Sequence, residues 1–216
     1  MAIIITGAYG AGKTEFCAHY SLNLAKEGPV KLADMDIYNP YFRSREKADF
    51  FAAHGVEIIG SNLRAEGNQD VPAISGEVLR SILKKDSLVV DLAGSFQGLK
   101  VLNFFKAQLK EHEFWVVFNP FREECSTPVK MLKFMEEIKA VSGLKLTGIV
   151  HNSHMLRETV PEHILYGQNM AREISEKSKV PIKLTFLNTA LNKAVKERLI
   201  SHALTFDRLI MREDWQ

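Results

Sequence analysis

Gly7-Ala8-Tyr9-Gly10-Ala11-Gly12-Lys13-Thr14 joins three glycines to a Lys–Thr pair at the spacing GxxxxGK[ST]. Chemistry on a polyphosphate needs that spacing. Glycines let successive backbone N–H groups curl around phosphate oxygens where a Cβ would force strain. A helix opening at the end of the loop adds the partial positive charge of its N-terminus. Lys13 then reaches the β- and γ-phosphates, and Thr14 offers its hydroxyl to Mg²⁺. The expected nucleotide-holding set is Gly7 to Thr14 together with Glu15, the next residue of the helix.

Two further groups of residues suit the same chemistry. Leu88-Val-Val-Asp91-Leu-Ala-Gly94 is an apolar strand ending in a carboxylate, with glycine three residues on. Asp91 there suits Mg²⁺, directly or through water, and Gly94 suits a turn whose N–H senses a γ-phosphate. Upstream lies Leu32-Ala-Asp34-Met-Asp36, followed by Asn39-Pro40-Tyr-Phe-Arg43-Ser-Arg45-Glu46. Alternate residues of a strand share a face, so Asp34 and Asp36 point the same way. They suit either Mg²⁺ and orientation of an attacking water, or helix capping by one aspartate with the other solvated. Arg43 and Arg45 stand two apart and do not share a helix face, so at most one of them faces a phosphate.

Elements must hold these groups in place, and the hydrophobic pattern supplies them. Short apolar, β-branched runs at 2–6, 29–34, 56–59, 88–91, 114–118, 144–150 and 181–187 read as strands, several apolar on consecutive residues as in sheets covered on both faces. Helical spacing occupies 13–27, 43–54, 73–85, 97–110, 127–141, 161–178 and 190–210. Alternation of this kind predicts an α/β doubly wound, mostly parallel sheet of about seven strands with helices on both faces, and the glycine loop at its first βα turn makes the expected kind a three-layer P-loop NTPase fold. Thr127-Pro128 and a Thr159-Val-Pro-Glu162 capping box mark helix starts; Gly55 and Gly143 mark helix ends. The stretch 61–72 reads as a polar surface loop, and 1–216 as one domain.

Composition narrows the function. Apolar residues make up 46% and charged residues 25% of the 216, which fits a globular chain with a sizeable core. Lys and Arg number 28 against 26 Asp and Glu, so no global field attracts nucleic acid or a membrane surface. No run reaches the roughly 18 apolar residues needed to span a bilayer. Cys17 and Cys125 form no CxxC pair and read as buried thiols in a reducing cytoplasm. His151 and His154 read as polar loop residues, Phe114, Trp115 and Phe118 as core, and the basic residues from Lys193 to Arg212 as a solvated helix face.

The glycine loop, the hhxDxD strand and the DxxG turn, in that order, resemble the MinD/ParA/CobQ group of P-loop ATPases, which includes the nitrogenase iron protein. More narrowly, GAYGAGKTE followed by DMDIYNPYFRSRE is similar to small bacterial ATP-binding proteins of that group. The resemblance implies ATP and Mg²⁺ as ligands, slow hydrolysis that switches conformation, and an attacking water oriented by Asp36 or Asp34. It also implies that Asn152 reads the purine, with 187–189 as the other wall of the base site; on its residue type alone Asn152 reads equally as a simple turn asparagine. MinD and ParA carry a lysine after the first loop glycine that crosses a dimer; Ala8 stands there in this chain, which puts the sandwich form of homodimer in doubt. The only Asn-Lys pair, Asn192-Lys193, lacks the aspartate of the guanine-reading Asn-Lys-x-Asp, so ATP is favoured over GTP. The function expected is a nucleotide-controlled switch acting on a protein client. An ATP-dependent small-molecule kinase or ligase of the same fold is the alternative, and a nucleotide-holding module without turnover a third reading.

Overall fold

A computed structural model describes residues 1–35, 44–60, 76–109 and 111–212. Asp36, Asn39, Arg43, the side chain of Arg45 and the loop expected at 61–72 lie outside the described residues.

Eight strands form one sheet in the order β3-β2-β4-β1-β5-β6-β7-β8, and every described pairing is parallel. They are β1 (Ala2–Gly7), β2 (Val30–Met35), β3 (Val56–Gly60), β4 (Leu88–Leu92), β5 (Glu113–Phe118), β6 (Gly148–His151), β7 (Ile182–Asn188) and β8 (His202–Phe206). The connecting helices are α1 (Lys13–Leu24), α2 (Ala48–Ala53), α3 (Gly76–Leu83), α4 (Phe96–Lys100), α5 (Pro128–Ser142), α6 (Pro161–Ser178) and α7 (Thr189–Val195). From β1 the chain steps outward to β2 and β3, then reverses through β4 and runs to β8. Right-handed crossovers in opposite directions place α1 and α2 on one face and α3 to α7 on the other. Helices therefore cover both faces, and the fold is the expected three-layer α/β P-loop NTPase kind.

Ile3, Ile4 and Ile5 are all buried because β1 is central and sandwiched, which is why its apolar run is continuous rather than alternating. Phe105, Phe114, Trp115 and Phe118 lie in the same core, and Cys17 and Cys125 are buried and free. Among the described residues no helix is long and apolar enough to cross a membrane.

Three local expectations are corrected. The stretch 190–210 is not one helix: α7 stops at Val195, a 3₁₀ turn covers Lys196–Arg198, and β8 follows. Leu204 and Phe206 satisfy helical spacing equally well, but the open edge of β7 offers parallel pairing from Leu184 to Asn188, and that pairing wins. The basic residues of this stretch thus share no helix face. The capping box fails too, because Pro161 occupies the first helical position and makes Val160 the N-cap, its N–H donating to His163 Nδ1 at 3.3 Å. The Thr159 hydroxyl instead closes the preceding turn, accepting from Met155 N–H and donating to the Leu156 carbonyl, 2.8 Å each. His151 is no loop residue: it ends β6, 1% exposed, with Ser153 Oγ 2.6 Å from Nε2 and Thr185 Oγ1 3.3 Å from Nδ1. Thr127 does cap α5, accepting from Lys130 N–H at 3.2 Å, and Gly143 closes it at φ 63°.

Candidate functional site

Strand β1 lies between β4 and β5, where the sheet order reverses, and its C-terminal end faces the crevice in which ligands of open α/β sheets sit. The loop 8–12 leaves that end and enters α1 through Gly12, whose φ of 88° is left-handed. A Cβ on Gly12 would stand 2.4 Å from Asn152 Nδ2, so glycine is required twice over, by conformation and by space. Asn152 donates from that nitrogen to the Ala11 carbonyl at 2.8 Å and so pins the loop to the end of β6. Lys13 is 7% exposed, its ammonium donating to the Ala8 carbonyl at 3.1 Å, which leaves two of its three donors for a ligand. Ala8, Ala11 and Thr14 are buried, and Tyr9 stands 73% exposed at the loop's tip.

Gly94 is drawn onto the loop from the other side. A Cβ there would lie 2.0 Å from the Gly7 carbonyl oxygen, a backbone atom with nowhere to retreat. The β4–α4 turn is therefore packed against the start of the phosphate loop. Asp34 and Asp91 are register partners on β2 and β4 and share a face of the sheet, 8% and 0% exposed. Burial and the Asp91 carboxylate push the Cys17 thiol of α1 well above its ordinary range, with Lys13 opposing, so these groups lie together beneath the first turn of α1. Two carboxylates side by side in low dielectric call for cations. Their carboxylate oxygens and the Thr14 hydroxyl are hard donors of the type that suits Mg²⁺, and among the described residues no cluster of three or more His, Cys, Asp and Glu gathers as a metal site.

Beside the loop opens a cavity of about 250 Å³. Lys13, Thr14, Asn119, Arg122 and Asn152 supply polar lining, and Leu156, Phe186, Phe206, Leu209 and Met211 supply apolar lining. Phe186 and Phe206 pack with ring centroids 4.7 Å apart, and the His154 ring lies 5.7 Å from Phe206. Burial holds His154 below the usual imidazole range; Glu15 opposes this and the Arg122 charge reinforces it. Residues 187–189 do not line this cavity; Phe186, Phe206 and the segment after β8 do. Asn188 is occupied as the N-cap of α7, accepting from Ala190 N–H at 2.8 Å.

Arg122 is the addition that the sequence did not single out as a site residue. Its guanidinium carbon lies 3.4 Å from where a Gly10 Cβ would be, over the middle of the phosphate loop. Among the described residues no carboxylate pairs with it, and its buried Nε has no hydrogen-bond partner. It lies in the turn after β5, four residues beyond Phe118, a place that becomes informative only once β5 is known to neighbour β1. Arg212, expected on a helix face, also lines the cavity. Glu15 also lines the cavity, and its carboxylate accepts from the N–H groups of Ile210 and Met211.

No family model and no curated protein sequence matches the chain. Among solved structures it is similar to the cell division protein FtsY of Thermotoga maritima, with a TM-score of 0.58 at 19% identity over 86% of this chain and 60% of that one. The signal recognition particle receptor FtsY of Elizabethkingia anophelis in complex with GDP gives 0.52 at 18% over 85% and 56%. A nucleotide-binding protein from Archaeoglobus fulgidus in complex with ADP gives 0.50 at 20% over 89% and 84%. The chain spans about 60% of the length of the FtsY structures it matches. One neighbour carries a guanine and another an adenine nucleotide, so the likeness extends across P-loop proteins broadly rather than to the MinD/ParA group in particular. What the shared architecture and the glycine loop establish together is that this chain has the P-loop NTPase fold.

Proposed function

We propose that this protein binds Mg·ATP, hydrolyses it slowly, and acts as a nucleotide-controlled switch for a protein client, as in the MinD/ParA group its motifs resemble. The observation that carries the reading is a single cavity uniting Tyr9, Gly10, Gly12 and Thr14 of the glycine loop and three cationic side chains, Lys13, Arg122 and Arg212, with an apolar wall. A polyphosphate meets the loop amides, Lys13 and Arg122; an aromatic base meets Phe186, Phe206, Leu209 and Met211. Thr14, Asp34 and Asp91 would hold Mg²⁺, which when bound offsets charge on the phosphate oxygens. Asp34 lies at the end of its strand toward the same crevice, and it or Asp36 orients the attacking water in this reading.

Adenine is favoured by what lines the wall. Reading guanine takes a carboxylate for its N–H edge, and Glu15 is the only carboxylate among the described lining residues. Both its oxygens are already occupied by backbone N–H groups.

The test is phosphate release from Mg·ATP with no added substrate, in the wild type and in Lys13→Ala. Turnover that vanishes in the variant, with an unchanged circular dichroism spectrum, supports the switch. ATP consumption only on addition of a metabolite would move the reading to a kinase or ligase. No rise of melting temperature at saturating Mg·ATP would defeat it, because a ligand that binds only the folded state must stabilise that state.

A further inference from the structure

The segment after β8, residues 207–212, forms neither helix nor strand, yet Leu209, Ile210 and Met211 are 8%, 8% and 9% exposed. Glu15 fastens it. Oε1 accepts from Ile210 N–H at 2.5 Å and Oε2 from Met211 N–H at 3.0 Å, across 195 and 196 residues of sequence. His19, one turn along α1, places Nε2 3.0 Å from the same Oε1 and packs its ring against Phe206 and Phe186, centroids 5.2 and 5.5 Å away. One carboxylate holding two consecutive backbone amides is a charge-assisted, geometrically exacting clasp. Its place is informative: Glu15 follows Thr14 directly, in the first turn of the helix whose N-terminus ends the phosphate loop. Leu209, Met211 and Arg212, which it fastens, line the cavity opposite that loop.

We propose that Glu15 is the positioning residue that builds the nucleoside wall. It makes the cavity take a whole nucleoside triphosphate rather than a bare polyphosphate, and it ties the base-facing segment rigidly to the phosphate-facing helix. The inference rests on the nucleotide reading above and adds a division of labour to it. Lys13 and the loop amides serve the phosphates, while Glu15, touching neither phosphate nor base, serves the base through the segment it holds. In Glu15→Gln one oxygen still accepts and the amide NH₂ opposes the second N–H; in Glu15→Ala both amides lose their partner.

The experiment measures dissociation constants of Mg·ATP and of Mg·tripolyphosphate for the full-length wild type, Glu15→Ala and Glu15→Gln, with hydrogen–deuterium exchange across 207–212. Loss of hydrogen bonds to a charged group predicts that Glu15→Ala weakens ATP by about tenfold or more while changing tripolyphosphate less than about twofold. Glu15→Gln, which keeps the side-chain volume and guards against a misfolded alanine variant, should show the same selectivity at smaller size, with faster exchange at Ile210 and Met211. Equal weakening of both ligands, or ATP binding unchanged in a variant whose 207–212 amides exchange faster, would overturn the inference while leaving the nucleotide reading intact. A wild type that binds neither ligand would overturn both.

Discussion

Replacing Gly12 by alanine tests the architecture of the phosphate loop without adding or removing a charge. The backbone there sits at φ 88°, and left-handed geometry costs a residue with a Cβ about 1–2 kcal/mol. The new methyl would also stand 2.4 Å from Asn152 Nδ2, the atom that donates to the Ala11 carbonyl at 2.8 Å. Because the clashing atom ends a side chain, Asn152 yields by turning away, and the price is its hydrogen bond, about 1 kcal/mol. The sum is about 2–3 kcal/mol, a fall in melting temperature of roughly 5–10 °C for a chain of this length. Asn152→Ala alone forfeits the same bond and leaves the loop carbonyl without that donor, about 1–3 kcal/mol. The double variant cannot lose the bond twice and has no amide to strike, so it should be about 1 kcal/mol more stable than the two single losses predict. Urea unfolding followed by tryptophan fluorescence and circular dichroism measures all four proteins. Additivity within about 0.5 kcal/mol would refute the reasoning, since it would mean that residues 12 and 152 do not meet.

Two further outcomes follow from the site and the core. Arg122→Ala should weaken Mg·ATP by about tenfold in isothermal titration while leaving the melting temperature of the free protein unchanged, because no described carboxylate pairs with that guanidinium. His151 is held by burial at about 3 against an ordinary 6.5, so between those values the unfolded chain binds a proton that the folded one refuses. Stability is then full above pH 6.5 and falls as pH drops, by roughly 2 kcal/mol at about pH 5. Denaturant unfolding across that range should show the loss in the wild type and its absence in His151→Asn.

Spacing along the chain was enough to find GAYGAGKT, the strands that end in Asp34 and Asp91, and the alternation that makes a parallel sheet. Each of these depends on neighbours a few residues apart: a loop needs its own glycines, a sandwiched strand its own apolar run, and a first helical turn its proline or hydroxyl. The eighth strand was hidden because His202–Phe206 satisfies helical and extended spacing alike, and only the unpaired edge of β7 selects between them. Arg122 and Arg212 gained their significance from which strand lies beside β1 and where the chain returns after β8. Glu15 was placed at the phosphate site by its position after Thr14, but the partners of its carboxylate stand 195 and 196 residues away, and no local pattern encodes such a contact. Local backbone chemistry thus determined the cradle for the phosphates. The wall opposite it was decided by the order in which strands stack, because that order alone brings distant backbone amides within reach of one carboxylate.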